Sequence, residues 1–370
     1  MLISINNPVL STTIFEVILA VALLFFTRRK KDPQFFPVYQ SQELKGLAIL
    51  LIVFSHIGYF LVTNHKFLFP LSIMAGVGVD LFLFLSGLGL TASILKNKLP
   101  ALQFYKKNLL KLYVPFWLAL VSFLALDFYV LKITYSWQFL TKATFGIFTT
   151  ADLYKDINSP LWYFTLIVFY YLLFPILFSK KRPWLSAFLI YGVTYMVLAL
   201  NFPALYWVSF FYSRHILAFP LGVFCAWLFY ASPKTALVAK NVSGWLNKYF
   251  SKAGYYALVL FLILFTGYFA YFYGAQKTAN ATQLVSIITM LAIVWLFSIK
   301  KIEFRLLYLF GIYSYEIYLL HWPILYRYDF IYKYLPGWLA TVLYLILFVD
   351  LAWLFKKICG LFLDKKTPKT

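Results

Sequence analysis

The feature that most constrains this chain is a recurring apolar run of about 17 to 22 residues. At ~1.5 Å per residue, a helix of that length crosses a ~30 Å hydrocarbon core. Such runs centre near residues 17, 53, 86, 121, 169, 192, 220, 264, 290, 316 and 346. A backbone in lipid must satisfy its own hydrogen bonds, so the expectation is an all-α integral membrane protein with about eleven transmembrane helices. Composition agrees: 63% of the 370 residues are hydrophobic and only 12% are charged. A soluble domain carries about twice that charged fraction.

The net charge of +21 would point to nucleic acid only if the basic residues gathered on a soluble face. They fall instead in clusters at every second connection: residues 28–31, Lys96 to Lys111, 180–182, Lys234 to Lys252, Lys300 to Arg305, and Lys356 to the end. No nucleic-acid partner is expected. The positive-inside rule makes these clusters cytoplasmic, with the N-terminus outside and the C-terminus inside a multi-pass cell-membrane protein. The first run, about Val9 to Phe26, is too long for a signal-peptide core and is followed by Arg28-Arg29-Lys30-Lys31, a stop-transfer flank. The chain then divides into an extra N-terminal helix with its flank (1–31), a main membrane domain (32–358) and a basic cytoplasmic tail (359–370). The two cysteines, Cys225 and Cys359, supply neither a disulfide framework nor a cysteine metal site, and no metal is expected.

Two connections stand out. Residues 132–159 mix Trp137, Phe139, Leu140 and Phe145 with Asp152 and Asp156, a pattern suited to a segment lying at the interface and capping an outward-facing cavity. In 231–254, Trp245, Leu246, Tyr249 and Phe250 among lysines read as a basic amphipathic helix against lipid headgroups. Membrane lipids are thus expected partners.

Ionisable side chains within apolar runs are costly and mark candidate function. Lys45 and His56 share one span, roughly 16 Å apart along the helix axis, which places one at a membrane surface and the other well inside. Asp80, Glu316 and His321 are expected at similar depth to His56, a carboxylate and imidazole set suited to general-base chemistry. Arg214 and Trp162 open spans on the same side. On the inner face, Lys45 with the Phe104–Lys111 stretch sets several cations around one mouth, suited to a phosphate-bearing ligand, although a positive-inside flank has the same appearance. No Walker loop, dinucleotide fingerprint, zinc pattern or nucleophile elbow occurs.

These residues carry a resemblance to acyltransferase family 3, the membrane enzymes that acylate surface glycans and other exported acceptors. Lys45 and His56 resemble its Arg-x10-His signature, with His56 in the place of the catalytic histidine. Gly78-Val79-Asp80-Leu81-Phe82-Leu83-Phe84-Leu85-Ser86-Gly87 is similar to its Gly-Val-Asp…Ser-Gly helix, and Phe104 to Trp117 to its basic helix start. Leu161-Trp162-Tyr163-Phe164 and Ser314 to Pro323 are similar to two further motifs. The resemblance implies a ten-helix core preceded here by one extra helix. It also implies acetyl-coenzyme A or another acyl-CoA as donor, and a hydroxyl of a cell-envelope glycan or lipid-linked sugar as acceptor. His56 would be the general base, oriented by Asp80. Lys45, Lys107, Asn108 and Lys111 would hold the donor, and Ser86, Trp162, Arg214, Glu316 and His321 would support the acceptor. The chain departs from the family pattern at Lys45 and at Asn108 and Lys111, where the family has arginines. Lysine keeps the charge but lacks the planar bidentate fork. The rival reading from another class is a non-enzymatic carrier moving a sugar or anionic solute through the same cavity, against which the absence of an internal repeat argues.

Overall fold

The computed structural model describes residues 2–32, 36–96, 101–153, 155–232, 236–237, 240–273 and 279–363. Most of the basic tail expected over 359–370 and part of the 231–254 connection lie outside them.

The described chain is a helical bundle. Its helices are α1 (Pro8–Phe25), α2 (Val38–Ser55), α3 (Ala75–Lys96), α4 (Ala101–Leu126), α5 (Trp137–Thr144), α6 (Trp162–Leu177), α7 (Pro183–Ala199), α8 (Tyr206–Ser213) and α9 (Ala218–Tyr230). They are followed by α10 (Val242–Tyr249), α11 (Lys252–Tyr273), α12 (Ala279–Ile299), α13 (Arg305–Ile312), α14 (Ser314–Tyr326) and α15 (Gly337–Leu363). Eight helices are long and apolar enough to cross a membrane, nine if one bent pair is a single span. That pair is α7 with Pro203–Ser213, bent by 99° where Pro203 cannot continue the preceding ladder. All eleven expected centres fall on helices, but near 220 and 316 these are only 13 residues long, α9 and α14. Tyr313 separates α14 from α13, so the apolar run that reads as one span near 316 is two short helices.

Close approach between helices needs small residues, because lipid supplies no hydrophobic force to drive them together. At the crossing of α2 with α13, a Cβ on Gly46 would sit 1.8 Å from the Leu307 carbonyl oxygen, and one on Gly311 equally close to that of Gln42. The crossing of α3 with α9 has the same construction: a Cβ on Gly87 would meet Phe219 O at 2.3 Å, and one on Gly222 would meet Phe84 O at 2.1 Å. These two seams hold α2 and α3 at the centre of the bundle. α1 is only 17% buried and packs on α15.

Each end of the bundle is tied by charge. At the end carrying the basic flanks, Thr27–Arg29 pairs antiparallel with Ile302–Phe304, Arg28 opposite Glu303. The Arg28 Nε donates to Glu303 Oε2 at 2.6 Å. Glu43, which is buried, accepts from Lys300 Nζ at 2.6 Å and from the Phe304 backbone N–H at 2.5 Å. At the opposite end, the buried Asp127 carboxylate accepts from Arg327, Tyr135 and Tyr328. Arg327 also donates to Asp156 O at 2.9 Å, which pins the 132–159 connection. That connection forms the short helix α5, capped by Ser136 Oγ accepting from Phe139 N, and leaves Trp137 exposed. The other amphipathic stretch forms α10, with Leu246 buried and Tyr249 exposed.

Candidate active site

A cavity of about 580 Å³ opens among α2, α3, α6, α8 and α14, with His56, Trp162, Tyr163, Arg214, His215 and Trp322 on its wall. Ala151 and Leu153 line it too, so the 132–159 connection, expected as a cap, contributes to its wall. Its volume suits a ligand of ordinary small-molecule size.

His56 opens the wider π-type turns that extend α2 to Leu61. Such turns inside helices recur at functional sites because they re-aim side chains. The His56 Nδ1 lies 2.7 Å from His321 Nε2, and the two rings are parallel to within 2°. His321 is fully buried, and its Nδ1 lies 3.0 and 2.9 Å from the carbonyl oxygens of Ile317 and Tyr318. A carbonyl only accepts, so that nitrogen carries the proton and Nε2 is left as an acceptor. His56 must therefore donate through Nδ1, and in the neutral ring its Nε2 is the unprotonated nitrogen. The hydrogen-bond network assigns the tautomer. The edge of Trp322, 4.9 Å away between centroids, holds the His56 ring from the side.

The expected pairing of Asp80 with His56 is corrected here. Asp80 is fully buried on α3, its Oδ1 lies 2.7 Å from His215 Nδ1 and its Oδ2 accepts from Ser286. Both oxygens are thereby engaged, and the partner of His56 is an imidazole rather than a carboxylate. His215 reaches Asp80 from the α8–α9 connection, and its ring stacks on Trp162 at 5.8 Å. The sequence shows His215 beside Arg214 but gives no sign of its carboxylate.

Of the other expected site residues, Trp162 and Arg214 line the cavity; Ser86, Glu316, Lys45, Lys107, Asn108 and Lys111 do not. Ser86 lies beside Tyr171. Glu316, expected beside His56 and His321, is buried within electrostatic reach of Lys356, which donates to Ile312 O at 2.5 Å. The reason is the helical period: five residues separate Glu316 from His321, which sets them on different faces of α14. Lys45 is half-buried and also within reach of Lys356, and no ion pair engages it among the described residues. Lys107 and Lys111 are exposed on α4, while the Asn108 amide donates to Phe104 O at 3.0 Å within its own helix. Among the described residues no group of three His, Cys, Asp or Glu side chains could hold a metal ion.

The family model described as an acyltransferase domain, that of acyltransferase family 3, matches residues 43–357. The chain belongs to acyltransferase family 3. It is therefore an enzyme, transferring acyl groups other than amino-acyl groups, and the carrier reading falls away. The family match begins at Glu43, after α1, and takes in every side chain of the cavity named above. No curated protein and no solved structure gives a significant match.

Proposed function

We propose that this membrane acyltransferase moves an acyl group, in the first instance acetyl, from acyl-CoA to a hydroxyl of a cell-envelope glycan or lipid-linked sugar. His56 is the general base and Lys45 a donor-binding cation. The observation that carries the reading is the contact at His56: an imidazole on the cavity wall with Nδ1 2.7 Å from His321 Nε2, which leaves its own Nε2 to take a proton. As the acceptor oxygen attacks the acyl carbonyl, its proton passes to Nε2. The new C–O bond forms, the bond to the donor's leaving group breaks, and that group takes the proton back. His321, anchored by two carbonyls, orients the base, as second groups do in other nucleophile–base systems.

In a membrane of the expected topology, with eleven spans, the N-terminus outside and the C-terminus in the cytoplasm, Lys45 would meet donor phosphates on the inner side while His56 faced an outer acceptor. The test is mass analysis of envelope glycans from cells with and without the chain. An ester that appears only with it supports the reading, and unchanged glycan and lipid-linked sugar masses refute it.

A further inference from the structure

Among the described residues, Arg214 is the one side chain on the cavity wall that carries a permanent charge. No carboxylate among the described residues lines the same wall. Asp80, the carboxylate paired with the adjacent His215, is fully buried and gives one oxygen to His215 and the other to Ser286. Among the described residues no ion pair engages Arg214, and its buried Nε has no hydrogen-bond partner. The guanidinium lies 3.7 Å above the centroid of the Phe210 ring, which fixes its plane without using its donors. Two further buried hydroxyls of the wall, Ser55 Oγ and Ser72 Oγ, also lack partners among the described residues. A buried donor left unmade is expensive, and for a charged one more so. The lining thus holds a net positive, donor-rich pocket edged by aromatic rings.

We propose that the acceptor is anionic, a sugar bearing a phosphate or carboxylate that Arg214 holds while a neighbouring hydroxyl is presented to His56. This rests on the acyl-transfer reading of the cavity. The planar guanidinium fork binds either oxyanion through paired N–H donors, and it does so most strongly where water is excluded. The basic residue here is an arginine, in a chain where only six of the 33 Lys and Arg are arginines. A lysine could balance charge in this place, but it could not fix the orientation of an oxyanion relative to the base. The anion therefore sets which hydroxyl of the acceptor is acylated.

The test compares glucose 1-phosphate and glucuronate with neutral methyl glucoside on purified protein in nonionic detergent, first by binding with no acyl donor present and then by acyl transfer from acetyl-CoA. The parent should bind the two anionic probes roughly ten- to hundredfold more tightly than the neutral one, the range expected of charge-assisted pairs. Arg214→Gln should abolish that preference at matched thermal stability. Arg214→Lys should keep part of it and acylate the anionic probe with relaxed choice of hydroxyl. Equal binding of all three probes by the parent, or a preference that survives Arg214→Gln, overturns the inference. So does a loss in Arg214→Gln of acetyl-CoA affinity alone, which would give the guanidinium to the donor, or of a co-purifying phospholipid alone, which would give it to lipid. An Arg214-dependent preference with no acyl product on any probe would sink the acyl-transfer reading and leave the anion site standing. Equal acylation of neutral and anionic probes by parent and Arg214→Gln would do the reverse.

Discussion

Glu43 and Arg214 are both charged side chains set into an apolar bundle, yet their surroundings are opposite. Glu43 is 1% exposed and takes its hydrogen bonds from Lys300 and the Phe304 backbone, beside a second pair formed by Arg28 and Glu303. Arg214 faces a cavity with a buried Nε unpartnered among the described residues. The first arrangement uses charge to tie distant parts of the chain, α2, β-paired flank and α13, into one end of the molecule. The second keeps charge in reserve for something that binds. The difference separates structural from functional charge in a membrane protein more sharply than depth does, since both kinds sit in an apolar bundle and both are costly. His56 and His321 extend the contrast: His321 spends both nitrogens within the protein, whereas His56 spends one.

The comparison is most exposed to failure at His56. Gln keeps hydrogen-bonding capacity and similar bulk but does not titrate near neutrality. His56→Gln should therefore reach the membrane in normal amount, keep its thermal stability and its donor binding, and lose about 10²–10⁴-fold in acyl-transfer rate, the usual contribution of a general base. His321→Asn should follow in the same direction with a smaller loss, because it removes the orienting partner and leaves the base. A His56→Gln rate within a factor of about three of the parent would return this imidazole to the structural side of the comparison.

Glu43 should behave in the opposite way. Glu43→Gln leaves the Lys300 ammonium buried without its counter-charge, a change that in buried pairs costs about 3–5 kcal/mol. The expected outcome is a large fall in unfolding midpoint, with the rate per folded molecule little changed. The double variant Glu43→Gln with Lys300→Met should recover much of the lost stability, because it removes the stranded charge as well. Should Glu43→Gln unfold like the parent but turn over poorly, the carboxylate would belong to the chemistry and the contrast with Arg214 would collapse.

How much of this was legible in the sequence follows from what kind of interaction each feature uses. Apolar runs report on single helices, so the all-helical membrane class and the placement of α1, α2, α3, α6, α12 and α15 could be read from local pattern alone. The run near 316 could not, because a break at Tyr313 interrupts a stretch that is apolar throughout. His56, Trp162 and Arg214 were identified because polar or amphipathic residues at the ends of apolar runs are conspicuous, and the structure gathers them on one cavity. Local pattern sets His321 at the depth of His56 but shows neither their contact, which spans 265 residues, nor that of Asp80 with His215, which spans 135. Depth along the axis can be counted from sequence, but rotation about it depends on which helices pack. Asp80 and Glu316, expected from depth to gather with His56, accordingly have other neighbours in the structure. The antiparallel pairing of residues 27–29 with 302–304 had no signal, because both stretches read as basic flanks.

The smallest expected effects concern the cations at the end of the bundle that carries the basic flanks, and there the comparison can be sharpened. Lys45 is half-buried with no ion pair among the described residues, whereas Lys107 and Lys111 lie four residues apart on α4 and are exposed. A phosphate met by a partly desolvated ammonium gains more than one met by ammonium groups in water, where screening reduces each contact. Lys45→Ala should therefore raise the apparent KM for acetyl-CoA by roughly tenfold with kcat little changed, the mark of lost binding rather than lost transition-state stabilisation. Lys45→Arg should retain or improve the affinity, since it restores the fork the family signature carries. Lys107→Ala and Lys111→Ala should each raise it by no more than about threefold, as surface charges do, and even that effect should fade as salt is raised from roughly 0.05 to 0.5 M. Asn108→Ala should change nothing measurable, because its amide is committed to Phe104 O within the helix. These variants are compared by initial rates at fixed acceptor and varied acetyl-CoA, in the same detergent. If Lys111→Ala costs more than Lys45→Ala, and does so independently of salt, burial is not what separates the donor-binding cations from the rest of the basic flank.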